Sequence, residues 1–180
     1  MNSIQQLTKE RILILDGAMG TMIQHYGLLE EDFRGERFKD HIGQLKGNND
    51  MLCLTRPDVI REIHRKYLEA GADLIETNSF NANAVSQSDY HAEDLVKELN
   101  IAAAQLARSV ADEYTKKTPQ KPRFVLGSIG PTNKACSMSI SHHKAQFGVS
   151  LNVINKLFPM GYLLNTASCK QSCPAGDMGT

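Results

Sequence analysis

Residues 13–21, LILDGAMGT, run an aliphatic stretch directly into an acid and a glycine-bearing turn. The apolar run from Ile12 to Leu15 is continuous, and strands covered on both faces within parallel sheets read this way. The pattern returns in ADLIETNSF, where the strand ends in Glu76, and in RFVLGSIGPTN, which opens into Gly127, Ser128, Gly130 and Pro131. Helices are predicted between these runs. Ser3 with Gln6 resembles a capping box for a short opening helix over residues 4–10. TRPDVIREIHRKYLEAG has Thr55 as a polar cap, a proline in its first turn and Gly71 beyond its end. Val59, Ile60, Ile63, Tyr67 and Leu68 form its apolar face, and His64 and Lys66 fall off it. A longer helix is predicted from His91 to Tyr114, because Leu95, Leu99, Ala102, Ala103, Leu106 and Val110 keep the helical period.

Strand, helix, strand in succession requires parallel pairing with right-handed crossovers. In such sheets ligands gather at the carboxyl ends of the strands. Asp16, Glu76 and the loop from Gly127 to Asn133 are therefore expected on one rim, facing a polar ligand.

The bulk numbers narrow the partners. The chain has 180 residues, 41% of them hydrophobic, and twenty basic residues balance twenty acidic ones. That is enough apolar material for a core, with no net field to attract nucleic acid or an anionic membrane. The sequence contains neither a signal-like apolar stretch nor the roughly 20 apolar residues of a spanning helix, so a cytoplasmic protein is expected. Cys53, Cys136, Cys169 and Cys173 are too sparse for a disulfide scaffold, and only the last two lie close together.

Plainer readings compete for several residues. The glycines of DGAMGT could merely supply positive φ, and the segment has neither the P-loop ending nor the dinucleotide fingerprint. Glu76 is costly to bury without a cation or several donors, and a structural Lys or Arg is the alternative to a ligand. Asn78, Asn81 and Asn83 either bond a ligand or turn the chain, with turning favoured for the last two. His25, His41, His64 and His91 are scattered, and most of them are expected at the surface or half-buried. The stretch GLLEEDFRGERFKDHIGQLKGNND lacks a sustained period and is expected to wrap the surface, with Glu30 to Lys46 solvated. Cys53 and Cys136 read as small buried residues.

Taken together, LILDGAMGTMIQ, DFRGERF, LKGNND, EAGADLIETNSFNAN and GSIGPTNK resemble the N-terminal homocysteine-binding module of cobalamin-dependent methionine synthases. The resemblance runs in order from about Leu7 to Ser139. DFRGERF and LKGNND set it apart from the betaine-dependent relatives. It implies the first part of a (β/α)8 barrel whose strand ends hold homocysteine, its sulfur bound as thiolate to a zinc ion carried by three cysteines. A free thiol has a pKa of about 8.5, and zinc makes the nucleophilic thiolate available at neutral pH. The resemblance further implies methylcobalamin as methyl donor, presented by a separate module of the same polypeptide and reloaded through a folate module. On the matching positions Asp16, Gly17, Ala18, Glu76, Thr77 and Asn78 would hold the amino acid end of homocysteine, with Gly127 to Pro131 as the floor.

The likeness stops near Ile140. The cysteine motifs of the family's sixth and eighth strands do not occur, and Cys169 and Cys173 match neither, so no metal role is carried to them. From residue 140 to 180 only Asp177 is acidic, and Pro159 and Gly161 interrupt any long helix. This tail is expected to encode no barrel strand and reads as the product of a shifted frame, a retained intron or a splice variant. The expected division is thus residues 1–139 as an incomplete α/β barrel and residues 140–180 as a divergent tail. Three strands cannot close a barrel of eight. This chain alone is expected to bind neither zinc nor cobalamin and to transfer no methyl group. Two alternatives stand: a non-catalytic homocysteine-binding or interaction fragment, and a different barrel enzyme using Asp16 and Glu76 as acid and base.

Overall fold

The computed structural model describes residues 4–132. Ser3, Cys136, Cys169, Cys173 and the tail over residues 140–180 lie outside the described residues. The predicted opening helix is α1, Ile4–Glu10. It leads to the aliphatic segment, which makes a parallel bridge from Leu15 to Leu74. Strand β1, Leu74–Glu76, in turn pairs in parallel with β2, Phe124–Leu126, in the register Ile75 to Val125. Three parallel segments in chain order, joined through helices, agree with the expected start of a barrel.

The crossover helices follow their sequence signals. Helix α5, Pro57–Glu69, starts on its proline, whose missing N–H costs nothing in the first turn. Its flanking residue is Arg56 instead of the expected Thr55, which ends the short helix α4, Leu52–Thr55. Gly71 beyond it has φ +110°, a conformation that suits glycine. The second crossover, α7, spans Val96–Lys117. It begins later than predicted because His91 adopts a left-handed φ of 54° and Glu93–Leu95 form a single 3-10 turn.

Helices α5 and α7 pack together over two apolar clusters. One, around Ile75, Leu68, Ala107 and Val110, joins them to the sheet. The other gathers Leu45, Met51, Leu52, Ile60, Ile63 and Leu99, each buried. Each such side chain contributes on the order of 1.5–3 kcal/mol.

Three expectations are corrected. Residues 30–46 are not solvated throughout, because Phe33, Phe38 and Leu45 are buried in the core while Glu31, Glu36, Arg37, Lys39, Asp40 and Lys46 stay exposed. Helix α3, Glu30–Arg34, makes this possible. Arg34 Nε donates to Glu30 at 2.7 Å, its guanidinium also donates to the carbonyls of Phe38, Lys39 and His41, and Glu30 accepts the amides of Leu45 and Lys46 at 2.9 and 2.7 Å. An aperiodic segment is thereby folded around one ion pair in place of a helical or sheet ladder. His64 is likewise fully buried, since α5 is covered over more of its circumference than its apolar stripe suggests. Among the described residues neither of its ring nitrogens has a hydrogen-bond partner, and burial pushes its pKa down to about 4, keeping it neutral.

The third correction concerns the first aliphatic run. Ile12, Ile14 and Leu15 are 88%, 57% and 44% exposed, so this segment is not covered on both faces. Among the described residues β1 is its single strand neighbour, and the face a closed barrel would fill is open. Leu126 and Ile129, at the end of β2 and just beyond, are exposed as well.

Candidate functional site

At the carboxyl ends of the strands the chain builds a rim from three successive loops. Asp16 follows the bridging Leu15, and its N–H donates to the Leu74 carbonyl at 2.9 Å, continuing the ladder by one residue. Its carboxylate turns across to the neighbouring strand, where both oxygens accept the Glu76 amide at 3.1 Å. Glu76 closes β1 just after the fully buried Ile75. The expected meeting of Asp16 and Glu76 on one rim is therefore observed.

The second and third loops are tied by hydroxyls. Thr77 N–H donates to the Leu126 carbonyl at 2.9 Å, and Ser128 N–H donates to Thr77 Oγ1 at 3.0 Å. Ser79 Oγ lies 2.6 Å from Thr77 Oγ1 and donates to the Ser128 carbonyl at 3.0 Å. Ser128 Oγ reaches Glu76 Oε2 at 3.4 Å. Further along, Gly130 N–H donates to the Phe80 carbonyl at 2.9 Å, and a Cβ at Gly130 would fall 2.7 Å from that carbonyl and 2.4 Å from the ring. The close approach demands glycine. Gly127 differs, since a Cβ there would meet nothing within 4 Å.

Gly17 and Gly20 are not among the glycines of positive φ, so the plain turn reading of DGAMGT does not account for them. What Gly17 meets is Tyr67 of α5, whose hydroxyl would lie 3.3 Å from an added Cβ and donates to the Ala18 carbonyl at 3.3 Å. Asn78 is buried and donates its Nδ2 to the Asn49 carbonyl at 2.8 Å and to Cys53 Sγ at 3.5 Å. Asn83 caps helix α6, Ala84–Gln87, accepting the Ser86 amide, as the turning reading expects.

Electrostatically the rim is acidic and uncompensated. Burial, with a smaller push from the charge of Glu76, raises Asp16 to about 6. Burial and the Asp16 charge raise the Tyr67 phenol as well. Among the described residues neither Asp16 nor Glu76 has a Lys or Arg partner, so the structural salt bridge considered for Glu76 is not found there. An arrangement of this kind accepts a cation.

Residues absent from the sequence reading complete the picture. Asp73, at the opposite end of β1, is fully buried and takes a bidentate pair from Arg11 at 2.8 and 2.9 Å, with the Ile14 amide at 2.9 Å. Its signal was an acid at the entrance of a strand, with a basic residue near the start of each neighbour. Asn49 and Asp50 also bond to the second loop, and Asn48 pairs with Gln87 of α6. All three lie in LKGNND, whose polarity pointed to solvent.

Zinc was implied by the resemblance, and the described residues do not fit it. Among them no three His, Cys, Asp or Glu side chains converge as a metal site. Cys53 is buried, its thiol is pushed up to about 12, chiefly by burial, and its Sγ donates to the Asn78 carbonyl at 3.4 Å. Among the described residues no helix is long and apolar enough to cross a membrane.

Comparison with known proteins extends these observations. The homocysteine S-methyltransferase family model matches residues 13–158, beyond the point near Ile140 where the resemblance was read to stop. The metallated form of the homocysteine methyltransferase MmuM from Escherichia coli is 26% identical, with a TM-score of 0.55, and the match covers 71% of this chain and 41% of that one. Its oxidized form is 27% identical, with a TM-score of 0.56 and coverage of 71% and 40%. The chain thus spans about two-fifths of the length of these relatives. From the rim geometry, the parallel strand order and a family match over most of its length, the chain belongs to the homocysteine S-methyltransferase family.

Proposed function

We propose that this chain is the homocysteine-binding part of a cobalamin-dependent methionine synthase, with residues 1–139 as the barrel portion and 140–180 as a divergent tail. One observation carries the binding role: two carboxylates, Asp16 and Glu76, share a rim on which no described cation neutralises them. The α-ammonium of an amino acid supplies the missing charge and favours the ionised form of Asp16. Gly17 and Ala18 present the first loop, Thr77 and Asn78 the second, and Gly127 the edge of the third. DFRGERF and LKGNND support the choice of methionine synthase among the family's members. In the complete protein the methyl group comes from methylcobalamin on a separate module, a folate module reloads it, and zinc binds the homocysteine sulfur. The chain by itself performs the binding step and not the transfer.

Calorimetry of the full chain with L-homocysteine and with its des-amino analogue 4-mercaptobutanoate tests the reading. Binding of homocysteine alone, lost in Asp16→Asn, is expected. Equal binding of both compounds, or of neither, overturns it.

A further inference from the structure

The LKGNND stretch contributes no carboxylate to the rim, yet Asn49 and Asp50 grip the loop that follows β1, and Asn48 pairs with Gln87 of α6, which holds the same loop. The Asn49 carbonyl accepts Asn78 Nδ2 at 2.8 Å. Asp50, 2% exposed, accepts the Asn81 amide at 3.0 Å. Asn48, also 2% exposed, pairs with the fully buried Gln87 through two amide hydrogen bonds of 2.8 and 3.1 Å. Gln87 Nε2 in turn donates to the Asn81 carbonyl at 3.1 Å. Asn81 is therefore held on both sides of its backbone, its N–H by Asp50 and its C=O by the Asn48–Gln87 pair. Buried polar groups that satisfy one another in a closed circuit have one low-energy arrangement, because shifting any member leaves a desolvated partner unpaired. The stretch is itself anchored where Glu30 accepts the amides of Leu45 and Lys46.

We propose that Asn48, Asn49 and Asp50 are the positioning residues of the rim, fixing residues 77–82 so that Thr77 and Asn78 meet the amino acid substrate in one geometry. The proposal rests on the homocysteine-binding reading above. It adds a role for a motif that the binding chemistry leaves unused. Asp50 is the member to remove, since of the three only its side chain accepts a loop amide directly.

The experiment pairs local hydrogen exchange with calorimetry against L-homocysteine, on the full chain and its variants Asp50→Ala and Asp50→Asn. In Asp50→Ala the amide of Asn81 is expected to exchange at least about tenfold faster while those of α7 keep their rates. Homocysteine affinity is expected to fall roughly tenfold, the scale of a misplaced contact group. Asp50→Asn keeps the shape and one oxygen acceptor, so it gives smaller changes of the same sign. Should Asp50→Ala fail to fold, the isosteric variant carries the test. Unchanged exchange at residue 81 overturns the proposal. Acceleration spread equally over α7, with affinity falling only as the folded fraction falls, also overturns it by reducing Asp50 to a general stabiliser. If the unaltered chain binds no homocysteine, the binding reading fails, and exchange alone still decides whether Asp50 holds the loop.

Discussion

The two ends of one short strand treat their acids in opposite ways. At the entrance of β1, Asp73 is buried but fully answered, with Arg11 on both oxygens, Lys121 at 3.6 Å and the Ile14 amide beside it. The Arg11 hydrogen bonds, aided by that amide and the charge of Lys121, hold its carboxyl down at about 2. At the exit, Asp16 accepts the Glu76 amide beside a neighbouring carboxylate, with no Lys or Arg partner among the described residues, and burial lifts it to about 6. Buried acids that are compensated serve stability, whereas those left without a cation are set against it and point to a ligand. The lower edge of this sheet is therefore structural, and the upper edge is the one that carries the proposed binding role.

The largest effect should come from dismantling the compensated end. Asp73→Ala leaves Arg11, Lys121 and the Ile14 amide without their acceptor and is expected to cost about 3 kcal/mol in chemical denaturation. A loss below about 1 kcal/mol would erase the contrast between the two ends. Next comes the clasp on the upper edge. Gly130→Ala drives a methyl group into the Phe80 carbonyl and ring, at about 1–3 kcal/mol, and should weaken homocysteine binding with it.

The contrast also sets the pH response. Asp73, with its lowered pKa, contributes stability that is present above about pH 4 and lost as the pH falls toward about 2. Asp16, with its raised pKa, binds its proton more tightly folded than unfolded, so stability declines as the pH rises from about 4 to about 6. Asp50, raised to about 6 by burial, adds to that decline. Asp16→Asn should make the decline shallower, leaving the Asp50 share, and should not lower the melting temperature at pH 7. A variant that melts lower at pH 7 would mark Asp16 as a structural acid like Asp73. The smallest effect belongs to Gly127→Ala, within about 0.5 kcal/mol, since an added Cβ meets no atom within 4 Å.

Periodicity and punctuation made α5 and α7 legible, since their apolar spacing and the proline and glycine at the ends of α5 act over a single turn. The aliphatic runs ending in Asp16 and Glu76 likewise announced parallel segments with acids on a shared rim. The core role of Phe33, Phe38 and Leu45 was hidden, because their segment follows no period and closes around the Glu30–Arg34 pair. His64 was misplaced for a related reason, as a hydrophobic stripe marks the apolar side chains of a helix and not the width of what covers it.

Local order, then, was written in the chain itself: which stretches are helical, which are extended, and that carboxylates end two of the strands. Which acid is neutralised and which is left waiting was decided only on folding, because Arg11 and Asp73 are 62 residues apart and Asp16 and Glu76 are 60 apart. A charge takes its meaning from the groups brought within a few ångströms of it, and sequence spacing does not carry that distance.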